Sequence, residues 1–355
     1  MTKDATFYNS EPTAQSYPRS WADRFMDWVE RLPGPIWLFY LGLWLALFLM
    51  ANAVKWLDGS QPLGSIELLS TVSASDGVYF LALMHYLKGS AGSALGTFRP
   101  ALAVSEAEYN RLRYQFTTLP PRGALLAGGI GAALAVLTVL FHPTVPNPYY
   151  YTSLLATVFG GALAVITLVV SGALVYQTIH QLTIVSRIHA AATRINLFQP
   201  DPLYAFSGLT ARTAMGYLVL ADTALLVMYE FMRETDLLAL GMMIFMMLLA
   251  AVTFVLPLLG MHRRMVDEKT RLESEANQRL EAAIAELHRR VDAADFSDMT
   301  ELYRAIGGLE IERDVLAKIP TWPWQPGTLR VALSPLLLPV AVWLIQRFLE
   351  RLAGF

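Results

Sequence analysis

The chain contains no cysteine among its 355 residues. Disulfide bridges, thiol catalysis, iron–sulfur clusters, cysteine-based zinc sites, prenylation and palmitoylation are therefore excluded. The net charge is only −2, so no overall basic field attracts nucleic acid, and we expect no nucleic-acid partner. The sequence also lacks an Asn-x-Ser/Thr sequon, so it gives no sign of a glycosylated exterior.

Charged residues are missing from long segments. No Asp, Glu, Lys or Arg occurs from Gly123 to Ser186, where the chain average of 16% charged residues would place roughly ten. Similar uncharged stretches cover 34–54, 237–261 and 331–346. A hydrocarbon layer demands such segments, whereas a soluble domain does not. The sequence therefore predicts an all-α, polytopic membrane protein whose first partner is the lipid bilayer.

The apolar runs predict six or seven membrane-spanning helices. Five runs are uncharged and lie at about 35–54, 124–141, 152–176, 237–260 and 331–346. A sixth, about 213–231, contains Asp222, and a seventh, about 68–87, contains Asp76 and His85. Asp222 and Asp76 are candidate intramembrane polar sites, because an ionisable group in hydrocarbon must face a cavity or a partner, or be protonated. Asp222 could serve an ion path or a helix–helix hydrogen bond.

The distribution of Lys and Arg favours seven spans. Seven spans would place 23 of the 27 basic residues on the inner side, and six would place 20 there. We therefore expect a multi-pass protein of the cell membrane, plasma or inner, with a cytoplasmic N-terminus and an extracytoplasmic C-terminus. Ala51-Asn52-Ala53 resembles a signal-peptide cleavage site, but the long preceding arm favours an uncleaved anchor.

The segments between the spans divide the chain into four predicted parts. Residues 1–33 form a cytosolic arm with an amphipathic interfacial helix over 20–32, which Ser20 caps. Its predicted apolar face holds Trp21, Phe25, Trp28, Val29 and Leu32, with Asp23 elsewhere. The other parts are the transmembrane bundle 34–261 with cytosolic loops 88–122 and 177–212, the cytosolic helical hairpin 262–320, and the bent re-entry with the final span, 321–355.

Helices are predicted to extend into the cytosol. The span at 152–176 continues in helical pattern to Leu197, until Pro200 and Pro202 stop it. Its extension carries a polar stripe of His180, Arg187 and Arg194. A shorter helix is predicted over 105–119, with a capping box of Ser105 and Glu108.

The segment 262–320 predicts two packed helices. An apolar, coiled-coil-like seam contains Leu272, Ala276, Leu280, Ala283, Leu287 and Val291, and the second helix presents Met299, Leu302, Ile306, Leu309, Leu316 and Ile319. Asp298 and Glu301 resemble a capping box for the second helix. The seams could pack on each other within one subunit or form a contact between subunits. Trp322 and Trp324, between prolines 320, 323 and 326, are predicted to lie in the headgroup layer.

Chemical motifs are missing. No Walker loop, Rossmann fingerprint, His-Glu-x-x-His or nucleophile elbow occurs, so we expect neither an enzyme, nor a metal site, nor a cofactor. Glycines 128, 129, 131, 160 and 161 lie in apolar spans, where small residues allow close helix packing.

The predicted topology resembles the insect odorant and gustatory receptor superfamily of seven-transmembrane ion channels. That family's signature in the last span is Thr-Tyr, five apolar residues and Gln-Phe. In this chain an apolar stretch from Val340 to Ile345 precedes Gln346, but Pro339-Val340 stands in place of Thr-Tyr and Arg347 separates Gln346 from Phe348. The resemblance implies a tetramer held by cytosolic helices, with 298–318 as the cytosolic part and 331–346 as the pore-lining part of the last segment.

Three functions follow as hypotheses. The first is an oligomeric ion channel or ligand-gated channel-like receptor whose pore is lined by Leu337, Val340, Leu344 and Gln346. The second is a membrane sensor or assembly scaffold that docks a cytosolic protein partner through the hairpin. A lipid-modifying enzyme or transporter is the weakest, because intramembrane carboxylates are few and no internal repeat is visible.

Overall fold

The computed structural model describes residues 17–66, 68–141, 153–191, 195–231, 237–324 and 327. These residues form ten α-helices and no strand, which confirms the all-α prediction. The first five helices are α1 (Trp21–Glu30), α2 (Ile36–Leu57), α3 (Leu68–Phe98), α4 (Glu106–Thr117) and α5 (Pro121–Phe141). The other five are α6 (Leu154–Ala191), α7 (Ala205–Phe231), α8 (Leu237–Val255), α9 (Leu259–Asp292) and α10 (Met299–Lys318).

The helix α3 lies at the centre of the bundle. It packs against α2, α6 and α7, while α5 packs along α6 and α7 packs along α8. The core between these helices is apolar and includes the fully buried side chains of Leu87, Leu95, Leu174, Phe206 and Leu218. Where the core borders water, the burial of apolar surface supplies the main favourable free energy of packing. Where it borders lipid, close van der Waals contact between the helices supplies that free energy.

The chain alternates between the two ends of the bundle. At one end, the Ser153 hydroxyl before α6 donates to Asp58 after α2 over 3.4 Å. At the other end, the Tyr17 hydroxyl before α1 donates to the Thr118 carbonyl oxygen after α4 over 2.8 Å. The starts of α7 and α9 also pack at this second end, which we call the arm end because α1 and residues 17–20 before it lie there.

Four helical segments of the described residues are long and apolar enough to cross a membrane. They are Ile36–Leu57, Glu106–Leu137, Leu154–His189 and Met247–Asp292. Long, uncharged apolar helices of this kind indicate membrane association. The larger count of six or seven spans stays a prediction, and residues 331–346 lie outside the described part of the chain.

Glycine allows α5 and α6 to approach closely, as predicted for this pair. A methyl group at Gly131 would overlap the Leu168 carbonyl oxygen, and one at Gly172 would overlap the Ala127 carbonyl oxygen. Among the described residues, no atom lies within 4 Å of such a methyl group at Gly129 or Gly161, so a packing role for these two stays a prediction. Gly172, which the sequence did not single out, makes a close approach of the predicted kind.

The helix α1 has the predicted cap but a different buried face. Ser20 and Asp23 form a capping box, with the Ser20 hydroxyl 3.2 Å from the Asp23 backbone nitrogen, which donates to it. The buried residues are Ala22, Asp23, Met26 and Val29, whereas Trp28 is 49% exposed. The buried carboxylate of Asp23 also accepts a hydrogen bond from the Leu119 backbone N–H over 2.9 Å, which offsets part of the cost of its burial. Periodicity alone could not reveal this distant partner.

The helix α6 is longer than a membrane crossing requires, and the extension of its excess length into the cytosol stays a prediction. Its 38 residues give a length of about 57 Å, nearly twice a hydrocarbon core of about 30 Å. It ends at Ala191 in the described residues, and residue 197 lies in a turn, so the predicted end at Leu197 is too late. Pro202 begins a single 3-10 turn, and the capping box of Ser105 and Glu108 on α4 is confirmed.

The helices α9 and α10 pack together as the predicted hairpin. Ala276 and Leu316 are buried between them, and the other seam residues are half-buried except Val291, which is 48% exposed. The prediction of a capping box at Asp298 is wrong, because Asp298 adopts a left-handed conformation with φ of 56° and caps no backbone N–H. An N-cap needs an extended conformation to aim its side chain along the helix. Residues 292–298 at the hairpin tip are all exposed.

The segment after α10 packs against the hairpin base. The Lys269 ammonium of α9 donates to the carbonyl oxygens of Ala317 and Ile319, over 2.8 and 3.0 Å. Trp322 stacks on His262 with ring centres 4.0 Å apart, and Trp324 stacks on Trp322 at 4.4 Å. Both tryptophans are half-buried within the protein, and their place in the headgroup layer stays a prediction.

Candidate functional site

A chain of polar side chains joins α1, α2 and α3 at the arm end. His85 Nε2 lies 3.1 Å from Glu30 Oε1, and His85 Nδ1 lies 3.1 Å from the Tyr40 hydroxyl oxygen. Lys88 Nζ donates to Asp27 over 2.8 Å and to Glu30 over 3.3 Å. Because a carboxylate only accepts, Nε2 carries the proton toward Glu30, and in the neutral ring Nδ1 accepts from Tyr40.

Local structure places these groups on facing surfaces. Asp27 and Glu30 are three residues apart on α1, and His85 and Lys88 are three residues apart on α3, so each pair lies on one helix face. Gly34 adopts a φ of 111°, which favours glycine and turns the chain sharply from α1 into α2. The turn brings Tyr40 of α2 back over His85.

Burial and neighbouring charges shift the pKa values of two carboxyl groups on α1. Burial raises the pKa of Asp27, but the hydrogen bond and positive charge of Lys88, together with Arg19, outweigh it, so its pKa lies below the usual value. Burial raises the pKa of Asp23 above its usual value, although hydrogen bonds from Ser20 and Leu119 oppose the shift. Asp27 is therefore ionised at neutral pH and anchors Lys88.

The polar chain forms one wall of an open cleft of about 920 Å³. Five helices supply its walls, with α3 contributing the floor through residues about one turn apart, including Ala82, His85, Gly89 and Ser93. Ile36 and Trp37 at the start of α2 form an apolar lip, and Trp37 is 65% exposed. A cavity of this size holds a small organic ligand or the polar half of a lipid.

Two arginines face this cleft without an acidic partner. Arg113 of α4 and Arg212 of α7 line it, and both are exposed. In the part of the chain that the structure describes, neither forms an ion pair; Arg212 lies over the Tyr86 ring, 5.9 Å from its centre. Lys88 is already paired with Asp27 and Glu30, so the positive charge available to a ligand comes from Arg113 and Arg212. The cleft therefore attracts anions.

An aromatic cluster connects the cleft walls to the base of the hairpin. Phe98 of α3 lies 4.9 Å from Phe206 of α7, ring centre to ring centre, and Phe206 lies 5.2 Å from His189 of α6. His189 Nδ1 is 3.1 Å from the Pro257 carbonyl oxygen, to which it donates. Pro257 sits in the 3-10 turn that separates α8 from α9. All three rings are 0–1% exposed, so a displacement of either cleft wall must move this turn or open a void.

A second, smaller cavity of about 290 Å³ lies on the other side of α4. It is lined by Tyr17, Gln115, Tyr176, His180 and Arg187, among others. The predicted polar stripe of His180 and Arg187 therefore does face one space, while Arg194 lies outside the described residues. His180 Nε2 donates to the Gln115 carbonyl oxygen over 2.9 Å, which gives this stripe a structural use.

The residues that the sequence singled out do not meet in the cleft. Leu337, Val340, Leu344 and Gln346 lie outside the described residues, so a pore stays a prediction. Asp222 belongs to α7, but its side chain is outside the described part as well. Asp76 is half-buried on α3, nine residues before His85, and does not line the cleft.

Sequence reasoning missed most of the cleft. One signal was present, because Asp27 and Glu30 on α1 are three residues apart, as are His85 and Lys88 at the end of an apolar run. Nothing in the sequence paired those two segments, since 55 residues separate Glu30 from His85.

Within the described ranges, no group of three or more His, Asp or Glu side chains could hold a metal ion. Comparisons with protein families, with curated proteins and with solved structures find no match for this chain. The function must therefore be argued from the geometry of its own residues.

Proposed function

We propose that the protein is a membrane-embedded sensor that takes a ligand in the arm-end cleft and presents its response through the α9–α10 hairpin to a second protein. The observation that carries the proposal is the pair of helices α3 and α7. Each lines the cleft, through Lys88 and Arg212, and each also contributes a ring to the cluster at the base of the hairpin, through Phe98 and Phe206.

The distances make this coupling physically direct. Phe98 follows Lys88 by ten residues, which is about 15 Å along a helix, and Phe206 precedes Arg212 by six, or about 9 Å. Close-packed rings do not compress, so they transmit a shift of the helices that carry them. Pro257 lies in the 3-10 turn between α8 and α9, where its missing N–H removes a helical hydrogen bond and weakens the helix. This turn is therefore the point at which a shift of the ring cluster would change the angle between the hairpin and α8.

The test uses the lack of native cysteine. Spin labels on Asn110→Cys in α4 and Ala285→Cys in α9, both exposed positions, report the distance between the bundle and the hairpin in the full-length protein. Gly89→Trp then fills the cleft, since the space around Gly89 is open. We expect the distance distribution to shift, and Phe206→Leu to reduce that shift because it removes a ring from the connecting cluster.

The matched control is Gly129→Trp, which places the same bulk in open space on α5, away from the cleft. A folded Gly89→Trp protein whose distance distribution equals that of Gly129→Trp would overturn the sensor proposal. If the distance shifts as expected, a pull-down that compares the full-length protein with a variant whose hairpin surface is disrupted would identify the responding partner.

A further inference from the structure

We infer that the ligand of the arm-end cleft is a membrane lipid with an anionic, phosphate-bearing headgroup. The inference rests on the proposed function, because it names the ligand class of the same cleft. The observation behind it is an excess of cationic side chains beside an apolar lip at the start of a long apolar helix.

Two of the cationic groups that line the cleft are available to bind a phosphate. Lys88 is fixed by Asp27 and Glu30, so its remaining donor capacity is limited. Arg113 and Arg212 approach the cleft from two different helices, and among the described residues neither has a carboxylate within ion-pair distance. Two unpaired guanidinium groups that face one space are the usual means by which proteins bind phosphate oxygens, through paired N–H donors.

The apolar side of the cleft fits a lipid better than a soluble anion. Ile36 and Trp37 begin α2, one of the helices able to cross a membrane, and the exposed apolar face of α2 continues through Leu38, Leu41, Leu45 and Leu49. A headgroup in the cleft would therefore have its acyl chains beside this exposed face. Tryptophan at such a boundary is typical of the headgroup layer.

The size of the cleft also favours a lipid headgroup over a lone phosphate ion. About 920 Å³ far exceeds the space that a lone phosphate ion needs and matches the range of cavities that hold organic ligands. Glu30 and the Tyr40–His85 pair add hydrogen-bond acceptors and donors suited to headgroup hydroxyls. Basic pockets between membrane helices are a general form of anionic-lipid site.

The experiment measures lipid binding to the full-length protein in nanodiscs. Phosphatidylcholine discs with a small fraction of phosphatidylglycerol are compared with phosphatidylcholine discs alone, and the lipids retained are counted by native mass spectrometry. We expect the wild-type protein to retain phosphatidylglycerol, and Arg113→Gln combined with Arg212→Gln to weaken its retention by about tenfold or more.

The matched control is Arg111→Gln combined with Arg304→Gln, which removes the same charge from exposed arginines outside the cleft. Equal loss in both double variants, or no loss in either, would overturn the lipid site. Displacement of phosphatidylglycerol by glycerol 3-phosphate or inorganic phosphate at low concentration would also overturn it, in favour of a soluble phosphate ligand.

The spin-label pair separates this inference from the proposed function. If phosphatidylglycerol binds through the two arginines but leaves the Asn110→Cys to Ala285→Cys distance unchanged, the lipid site stands and the sensor function fails. If Gly89→Trp moves the hairpin while the two arginine substitutions change no lipid binding, the sensor stands and the lipid class is wrong.

Discussion

The contact between α5 and α6 offers a direct test of how this bundle is packed. Gly131→Ala adds one methyl group at the point where α5 meets the Leu168 carbonyl oxygen. That methyl carbon would lie more than about 1 Å inside an ordinary contact distance of about 3.5 Å. The obstacle is backbone rather than a flexible side chain, so the two helices must separate.

The expected cost follows from two opposing effects. Forced overpacking typically costs about 1–3 kcal/mol. The higher helix propensity of alanine returns at most about 1 kcal/mol. Because Gly129→Ala gains the same propensity without the overpacking, we expect the free energy of unfolding of Gly131→Ala, and likewise of Gly172→Ala, to lie about 1–3 kcal/mol below that of Gly129→Ala. Because the two sites share one interface, their effects should not simply add.

The assay is reversible unfolding in mixed micelles of increasing denaturing-detergent content, followed by far-ultraviolet circular dichroism. Gly129→Ala serves as the matched control, because it places a methyl on the same helix where no atom lies within 4 Å. We expect it to be neutral or slightly stabilising. Equal stability of Gly131→Ala and Gly129→Ala would refute the close approach of the two backbones.

Two further predictions concern the hairpin and the arm. Lys269→Met should remove two charge-assisted hydrogen bonds to the end of α10. A hydrogen bond to a charged group is worth about 1.5–3 kcal/mol. Amide hydrogen exchange over 311–319 should therefore become faster in Lys269→Met but not in the control variant Lys318→Met. Asp27 has a depressed pKa, so its contribution to stability is complete above its unfolded value of 3.8 and falls as pH drops through its lower folded value. The thermal midpoint of the wild-type protein should therefore decrease more on acidification below about pH 4 than that of Asp27→Asn, and identical pH profiles would contradict the Lys88 pairing.

Helix positions could be predicted well from this sequence because the signals are local. Uncharged apolar runs located α2, α5, α6 and α8, and capping residues located the starts of α1 and α4. The end of α6 was predicted several residues too late, at Leu197, because a helical sequence pattern can continue past the point where the helix itself ends. Asp298 misled for a related reason, since the residue type suits a cap but the tight turn after α9 imposes a left-handed backbone.

The candidate site was largely unpredictable because it depends on pairing between distant segments. The packing of α1, α3 and α7 brings Glu30, His85 and Arg212 to one cleft. No repeat or motif links these three residues in the sequence. The burial of Asp23 has the same origin, as its partner is the backbone of Leu119 rather than a charged side chain. Long-range contacts of this kind are fixed by the packing of the whole bundle.

The exposed tip between α9 and α10 makes the protein unusually easy to modify. Every side chain from 292 to 298 points away from packed neighbours, and Ala294 and Asp298 already adopt conformations that suit a sharp reversal. Insertions at such loop tips rarely disturb the elements that flank them. A fluorescent domain or an epitope inserted there would lie at the far end of a helix pair about 30 Å long, where antibodies or proteases can reach it. The same property leaves the tip open to lineage-specific additions of sequence over evolution.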